Sequence, residues 1–293
     1  MPELPEVETI RRHLAPHVEG RTLRRLRIDD PRWSLPLAPG ELSDAVEGRR
    51  VERLGRRGKY LVWELEDEAY LMVHLRMTGT LLLSAPEDLP HTRVRFELDD
   101  GVLAFVDPRR FGTGELALGE DALEAFFARR LGVEPFDEAF TAEHLRALAR
   151  ACRAPIKAML LDQKRIAGVG NIYADEALYR ARIHPLRRAD RLTASQCSAL
   201  RDAVLASLAA GIEAKGATID DFRDPDGVQG SFQDQFLVHL REGKPCGRCG
   251  RAVRKLRAAG RGTYVCEGCQ PRPRYAASAR PASSPSRSAR TSS

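Results

Sequence analysis

Apolar positions follow two different periods along this chain, and the change of period divides it. Val7, Ile10 and Leu14 are spaced by three and four, one face of a helix that begins almost at the first residue. Pro5 suits the first turn of that helix, where a missing N–H costs nothing. Glu6 and Glu8 fall where carboxylates favour the positive end of the helix dipole. Residues 20–115 then read mostly as strands. "KYLVWEL" and "AYLMVHL" are apolar, partly β-branched runs separated by the acidic turn "EDE". "RVRFEL" alternates, and "DDG" is a hairpin signal leading into "VLAFV". An antiparallel sheet or sandwich is expected, with no βα alternation and no internal repeat. "EDALEAFFARR" is a short helix, and "LGVEPFDEAF" has the Gly, Pro and missing periodicity of a linker. From Thr141 to Lys215 the helical period returns in four segments: 141–148, "APIKAMLLDQK", "NIYADEALYRARI" with Asn171 as N-cap, and "TASQCSALRDAVLASLAAGIEA". "RDPDGVQGS" is a loop. After Cys269 the run "PRPRYAASARPASSPSRSARTSS" has almost no large apolar residue and is expected to be disordered.

Composition adds bounds. With 293 residues, 43 % of them hydrophobic, the chain can build two domains, or one large domain and an appendage. No apolar run approaches the roughly 18 residues of a membrane span, and the acidic start lacks the apolar stretch of a signal peptide. A soluble cytoplasmic protein with no membrane partner is expected. The net charge of +6 is uneven: 13 Lys/Arg and 2 Asp/Glu lie from Arg241 onward, against 34 and 39 before it. A basic end on a mildly acidic body suggests a polyanionic partner such as nucleic acid.

Four of the six cysteines form "CGRC" at 246–249 and "CEGC" at 266–269. Thiolates of Cys246, Cys249, Cys266 and Cys269 at this spacing suit one tetrahedral, structural zinc that closes a small hairpin; an iron–sulfur or redox site is the rival. The segment between them is rich in arginine, and "GRGTY" sets Arg261 in a glycine-flanked turn from which it can reach a groove. In "GVGNIYADEALYRARIHP" glycines precede a helix, a turn that aims backbone N–H groups at an anion. "DPRRFG" places Arg109 and Phe111 on a turn between strands, either as a wedge for a duplex or as an ordinary turn whose Phe111 packs down. Met77 in "HLRMTG" is a second candidate wedge. Removal of Met1 would expose the secondary amine of Pro2. An α-amine, with a pKa of about 7.7–8.0 against about 10.4 for lysine, is a few hundred times more often unprotonated at neutral pH. Such an amine attacks a carbon electrophile and gives an iminium directly, with Glu3 beside it to move protons and Lys59 in "RGKYL" as a further acid or base.

The start "PELPEVETIRR", then "KYL", "HLRMTG", "DPRRFG", "GVGNIYADEALYRARIHP" and the paired CxxC, in this order and spacing, resemble the bacterial formamidopyrimidine-DNA glycosylases, which remove 8-oxoguanine. The resemblance covers roughly residues 2–270. It implies an α+β chain: an N-terminal antiparallel β-sandwich flanked by helices, and a C-terminal helical domain with a helix-two-turns-helix and a four-cysteine zinc-finger β-hairpin. The implied boundaries are 1–132 for the catalytic sandwich, 133–140 for a linker, 141–235 for the helical domain, 236–270 for the zinc-finger hairpin and 271–293 for a basic tail. The resemblance implies a bifunctional DNA glycosylase and AP lyase of base excision repair. Pro2 would be the nucleophile at C1′ that forms the Schiff base. Glu3 would donate a proton to the leaving base, Lys59 would act in β-elimination, and Arg261 would act in δ-elimination and hold phosphate. Met77, Arg109 and Phe111 match the trio that fills the gap left by a flipped nucleotide. His91, Arg109 and Arg153 match other DNA-contacting positions, and Lys157 and Asn171 match phosphate contacts. Glu6 matches a supporting position. Double-stranded DNA carrying oxidised bases would be the partner, zinc the one structural ion, and the protein a monomer in the bacterial cytoplasm, at the nucleoid. Two departures stand out: Arg76 replaces a frequent glycine, and the loop at 217–232, which in the family closes over the flipped base, does not match residue by residue. The rivals are an endonuclease VIII-type enzyme for oxidised pyrimidines, whose start reads PEGPE where this chain has PELPE, and a non-catalytic zinc-finger DNA-binding protein.

Overall fold

The computed structural model describes residues 2–218 and 223–273. Residues 219–222 of the long loop, and the tail from 274 onward that was expected to be disordered, lie outside the described residues. Helix α1 (Leu4–Val18) is followed by β1 (Leu23–Ile28), α2 (Pro39–Val46), β2 (Val51–Arg57), β3 (Tyr60–Leu65), β4 (Ala69–His74), β5 (Thr80–Leu83), β6 (Thr92–Leu98), β7 (Gly101–Val106), β8 (Thr113–Leu118) and α3 (Glu120–Ala128). The eight strands form two antiparallel four-stranded sheets, in the orders β1-β6-β7-β5 and β2-β3-β4-β8. The two turns singled out in the sequence are hairpins. At "EDE", Asp67 and Glu68 both take left-handed φ, and at "DDG" Leu98 pairs with Gly101. The inner faces meet through Trp63 stacked on Phe96, ring centroids 5.0 Å apart.

The second half is helical: α4 (Ala142–Arg150), α5 (Ile156–Leu161), α6 (Asn171–Arg180) and α7 (Ala194–Glu213), then a hairpin of β9 (Arg254–Ala258) and β10 (Arg261–Val265). Thr141 and Thr193 cap α4 and α7, each accepting the backbone N–H three residues on. Helix α5 is shorter than its apolar pattern, because Asp162 turns extended and its side chain accepts the Lys164 N–H at 3.1 Å. The linker segment is clamped to both halves. Gly132 donates to the Gln163 carbonyl at 2.8 Å, and Glu134 accepts from Gly58 and pairs with Arg56 at 3.1 Å.

Helix α1 belongs to two cores at once. Val7, Ile10 and Leu14 pack among the sandwich residues, whereas Leu4 packs in the helical core with Ile172, Val169 and Ile156. The apolar stripe read from the sequence thus buries against the sandwich. Its first turn is held by the other half of the molecule.

Candidate active site

Pro2 and Glu3 are buried, and Glu3 is the N-cap of α1. Its N–H donates to Glu6 Oε2 at 2.8 Å, closing the first turn. Its carboxylate lies on the N-terminus of α6: Oε1 accepts from Ile172 N at 3.0 Å and Oε2 from Tyr173 N at 3.5 Å. The "GVG" turn therefore does face an anion, and that anion is the protein's own carboxylate. Both glycines are needed for the approach. A Cβ on Gly170 would sit 2.1 Å from the Glu3 carboxyl carbon, and one on Gly168, at φ +80°, would meet Leu4 at 2.6 Å. Gly170, not Asn171, is the N-cap of α6; Asn171 is its first residue and sends its Nδ2 to the Gly262 carbonyl at 3.1 Å.

Glu6 joins three segments. It accepts from Glu3 N, from the Tyr173 hydroxyl at 2.7 Å and from Ala217 N at 2.8 Å. Burial and the neighbouring Glu3 raise its pKa. Lys59 sits in the two-residue turn between β2 and β3, with Gly58 at φ 58° beside it. Burial lowers its ammonium pKa; the charges that bear on it are Glu3, Arg261 and Glu6. Lys59 opens into a cavity of about 490 Å³ that it lines with His74, Met77, Phe111, Asn171 and Arg261. His74 is pushed down to about 3 by burial and by Arg76 and Lys59, and so is neutral. Its Nδ1 accepts the Arg76 N–H at 2.9 Å, which leaves the proton on Nε2.

Two turns form one rim of this cavity, and buried Asp107 builds both. Its carboxylate accepts from Phe111 N and Gly112 N at 2.8 Å, from Arg109 N at 3.2 Å, and from the Thr78 hydroxyl of the turn bearing Met77. Phe111 does not pack down: it is 50 % exposed, with the Arg109 guanidinium 4.9 Å from its ring centre. Arg110, the other arginine of "DPRRFG", is committed to Asp30 through two hydrogen bonds. Met77 is half-buried, and Arg109, Arg153 and His91 are exposed.

Lys157, expected at a DNA phosphate, is wholly buried in this structure. Its Nζ is saturated by Asp175 and Thr263, both at 2.7 Å, with the Gly262 carbonyl at 3.5 Å. Its pKa is lowered by burial, against the opposing pull of Asp175. It ties the hairpin to α6, and His239 completes the knot through Asp175 Oδ2 at 2.9 Å. That knot and the Asn171–Gly262 bond set the position of Arg261, the first residue of β10, just after the left-handed pair Ala259-Gly260.

The four cysteine sulfurs lie within 4.8 Å of one another. Cys246 and Cys269 are 3.8 Å apart and Cys249 and Cys266 3.4 Å. Tetrahedral zinc with bonds of about 2.3 Å needs sulfur separations of this size, and a disulfide, at about 2.05 Å, does not. Against the cost of burial, hydrogen bonds from Tyr179 and the Arg248 N–H bring Cys246 down to about 6. Burial and the adjoining sulfurs push Cys269 up to about 12. A divalent cation among them lets all four ionise together. The residues fit one structural zinc ion.

Charge is sorted around the cavity. Most sandwich arginines are paired, as Arg24 with Asp99, Arg49 with Asp67, Arg53 with Glu64 and Arg130 with Glu115. Lys59, Arg76, Arg109 and Arg261, on the cavity and its rim, have no ion pair with a described carboxylate. Sequence reasoning missed three contributors. Asp107 was legible as an Asp-Pro turn opener, and His74 as the lone imidazole in an apolar run. Tyr173, which supports Glu6, carries no local signal.

Three family descriptions match stretches of the chain. The description "Formamidopyrimidine-DNA glycosylase N-terminal domain" matches residues 1–114, "Formamidopyrimidine-DNA glycosylase H2TH domain" residues 131–223, and "Zinc finger found in FPG and IleRS" residues 243–272. The chain is 44 % identical over 277 residues to formamidopyrimidine-DNA glycosylase of Heliobacterium modesticaldum, covering 92 % of this chain and 100 % of that one. It is 46 % identical over 273 residues to that of Thermus thermophilus, covering 92 % and 98 %. The crystal structure of the MutM (FPG) protein from Thermus thermophilus superposes with a TM-score of 0.84 at 44 % identity, over 92 % of this chain and 98 % of that one. A complex of Lactococcus lactis Fpg with DNA containing an abasic site gives 0.86 at 35 % identity, over 92 % and 100 %.

Proposed function

The chain belongs to the formamidopyrimidine-DNA glycosylase family, and from that premise we propose how its residues divide the work. It is a bifunctional DNA glycosylase and AP lyase of base excision repair, which excises oxidised purines from duplex DNA and then cuts the strand. The observation that supports the assignment of residues is a convergence. Glu3, Lys59 and Arg261 come from the chain start, a hairpin turn in the sandwich and the C-terminal hairpin, yet Lys59 and Arg261 line one cavity with Gly170, against which the Glu3 carboxylate lies, and the charges of Glu3 and Arg261 both bear on Lys59.

The Pro2 nitrogen attacks C1′ of the damaged nucleotide; the N–C1′ bond forms as the bond from C1′ to the base breaks. Glu3 takes the proton released from the Pro2 nitrogen and passes it to the departing base. The C1′–O4′ bond then breaks, with a proton to O4′, to open the sugar and leave an iminium between C1′ and the Pro2 nitrogen, the electron sink for loss of a proton from C2′ and departure of the 3′ phosphate. A lysine drawn toward neutrality by burial can accept and return protons, and Lys59 serves that β-elimination. Arg261 holds phosphate and serves the δ-elimination that follows. Asn171, Arg153 and His91 contact the DNA backbone, while Met77, Arg109 and Phe111 fill the gap beside the estranged base. Lys157 acts at one remove, by fixing the hairpin. The division of labour follows 1–132 for chemistry, 133–140 as linker, 141–235 for DNA binding, and 236–270 as the hairpin with its structural zinc. Within the described residues no helix is long and apolar enough to cross a membrane. A monomer at the nucleoid fits this work.

Borohydride trapping tests the reading. A duplex with 8-oxoguanine opposite cytosine should yield a covalent adduct that maps to Pro2 and disappears in Pro2→Gly. An adduct formed mainly on an oxidised-pyrimidine duplex would shift the substrate class. DNA binding without any adduct would mean that the scaffold lacks the chemistry.

A further inference from the structure

Arg76 and Arg110 stand on the two neighbouring turns organised by Asp107, and both take a left-handed backbone, φ 55° and 60°. Such a backbone is unfavourable for a side chain with a Cβ and costs nothing for glycine. For Arg110 the compensation lies within the protein, in its paired hydrogen bonds to Asp30. For Arg76 nothing comparable is present. Its side chain is exposed and has no hydrogen bond, ion pair or ring contact among the described residues. It lines the same cavity as Lys59, Met77, Phe111 and Arg261. Its own N–H is fixed on His74 Nδ1 at 2.9 Å, so the turn that carries it is anchored. A guanidinium on an anchored turn, in a conformation that disfavours arginine, calls for a partner that the described residues do not supply.

We propose that Arg76 is a DNA-binding residue that takes a backbone phosphate at the mouth of the cavity, beside the Met77 wedge. Guanidinium and phosphate match in charge and in paired hydrogen-bond geometry. The proposal rests on the DNA-repair reading above, and its test separates the two.

Dissociation constants for a duplex carrying a tetrahydrofuran abasic analogue would be measured at several salt concentrations for the wild type, Arg76→Gly, Arg76→Lys and Arg25→Gln. Arg25 is exposed on β1 and serves as a control for loss of one charge. Arg76→Gly should bind roughly tenfold more weakly, and its slope of log K against log salt should shrink by about 1, as expected for one lost phosphate contact. Arg76→Lys should keep the slope and recover part of the affinity. Arg25→Gln should match the wild type. Thermal melting of Arg76→Gly at or above the wild-type temperature would show that folding is intact, since glycine relieves the turn. An unchanged affinity and slope in Arg76→Gly would overturn the proposal. So would a loss that Arg25→Gln reproduces in full. Borohydride trapping on the wild type runs alongside: absence of an adduct would sink the repair reading while the salt slopes still decide Arg76.

Discussion

The first turn of α1 and the two turns on the cavity rim both carry residues assigned to function, and they are built in opposite ways. At the chain start every polar group is committed. Glu3 and Glu6 are buried and receive N–H and O–H donors from α1, α6 and the segment after α7. On the rim, backbone and carboxylate are committed through Asp107, but the side chains of Arg76, Arg109 and Phe111 are exposed, Arg109 and Phe111 stacked only on each other. Groups that must be aimed are fixed by the protein, and groups that must take hold of a large ligand are left for the ligand to pair. Preorganisation explains the first and desolvation on binding the second.

Four experiments press on that contrast. The largest effect is expected at Glu3→Gln, which keeps an acceptor for Ile172 N and removes the acid. Base excision on 8-oxoguanine duplex should fall about 10³-fold in single-turnover assay, with melting little changed; a fall under tenfold would show that aim alone suffices. Next comes the metal. Chelation of zinc should unfold the hairpin, displace Arg261 and weaken duplex binding about 10²-fold, read by fluorescence anisotropy and restored by added zinc. Gly170→Ala tests whether position matters by itself. The new Cβ falls 2.1 Å from the Glu3 carboxyl carbon, so the acid must move. About 10²-fold loss of excision rate is expected, with every ionisable group still present. On the free side, Phe111→Ala should alter stability by less than about 0.5 kcal/mol, because the ring is half exposed. It should nonetheless weaken lesion binding roughly tenfold, and a large drop in melting temperature would mean that the ring is structural after all.

Glu6 sharpens the buried side through pH. Its folded pKa is raised above the ordinary 4.5. The folded state therefore binds the extra proton between those two values, and the contribution of Glu6 to stability declines as pH rises through that window. Replacement by Gln removes this decline. Relative to the wild type, Glu6→Gln should gain stability as pH rises above 4.5 in urea titrations; a constant difference would show that Glu6 titrates normally.

Much of this was legible in the sequence, for reasons that are local. Strand and helix periods follow from which face is buried, and the CxxC pair follows from the reach of four thiolates around one ion. The Pro5-Glu6 start predicts α1 because capping and dipole effects act within one turn. What was not legible depends on contacts between distant segments. Asn171 looks like an N-cap by composition, yet Gly170 takes that place because Glu3, from the other end of the chain, occupies the space a side chain would need. Lys157 resembles a free phosphate ligand until Asp175 and Thr263 close on it. Phe111 could have packed inward; only the Asp107 anchor shows that it does not.

The clasp between Glu3, Glu6 and the second half of the molecule also sets an order of assembly. Its bonds join residues 169, 170 and 211 positions apart, far beyond the separations within any sheet or helix. Contacts of such separation form late, after local elements have repaid their own ordering. During synthesis, at roughly 5–20 residues per second, the sandwich strands are complete well before Ile172, Tyr173 and Ala217 emerge. A nascent chain therefore carries its N-terminal acid for several seconds without the helix end that aims it. On the roles proposed above, excision waits until translation has passed Ala217.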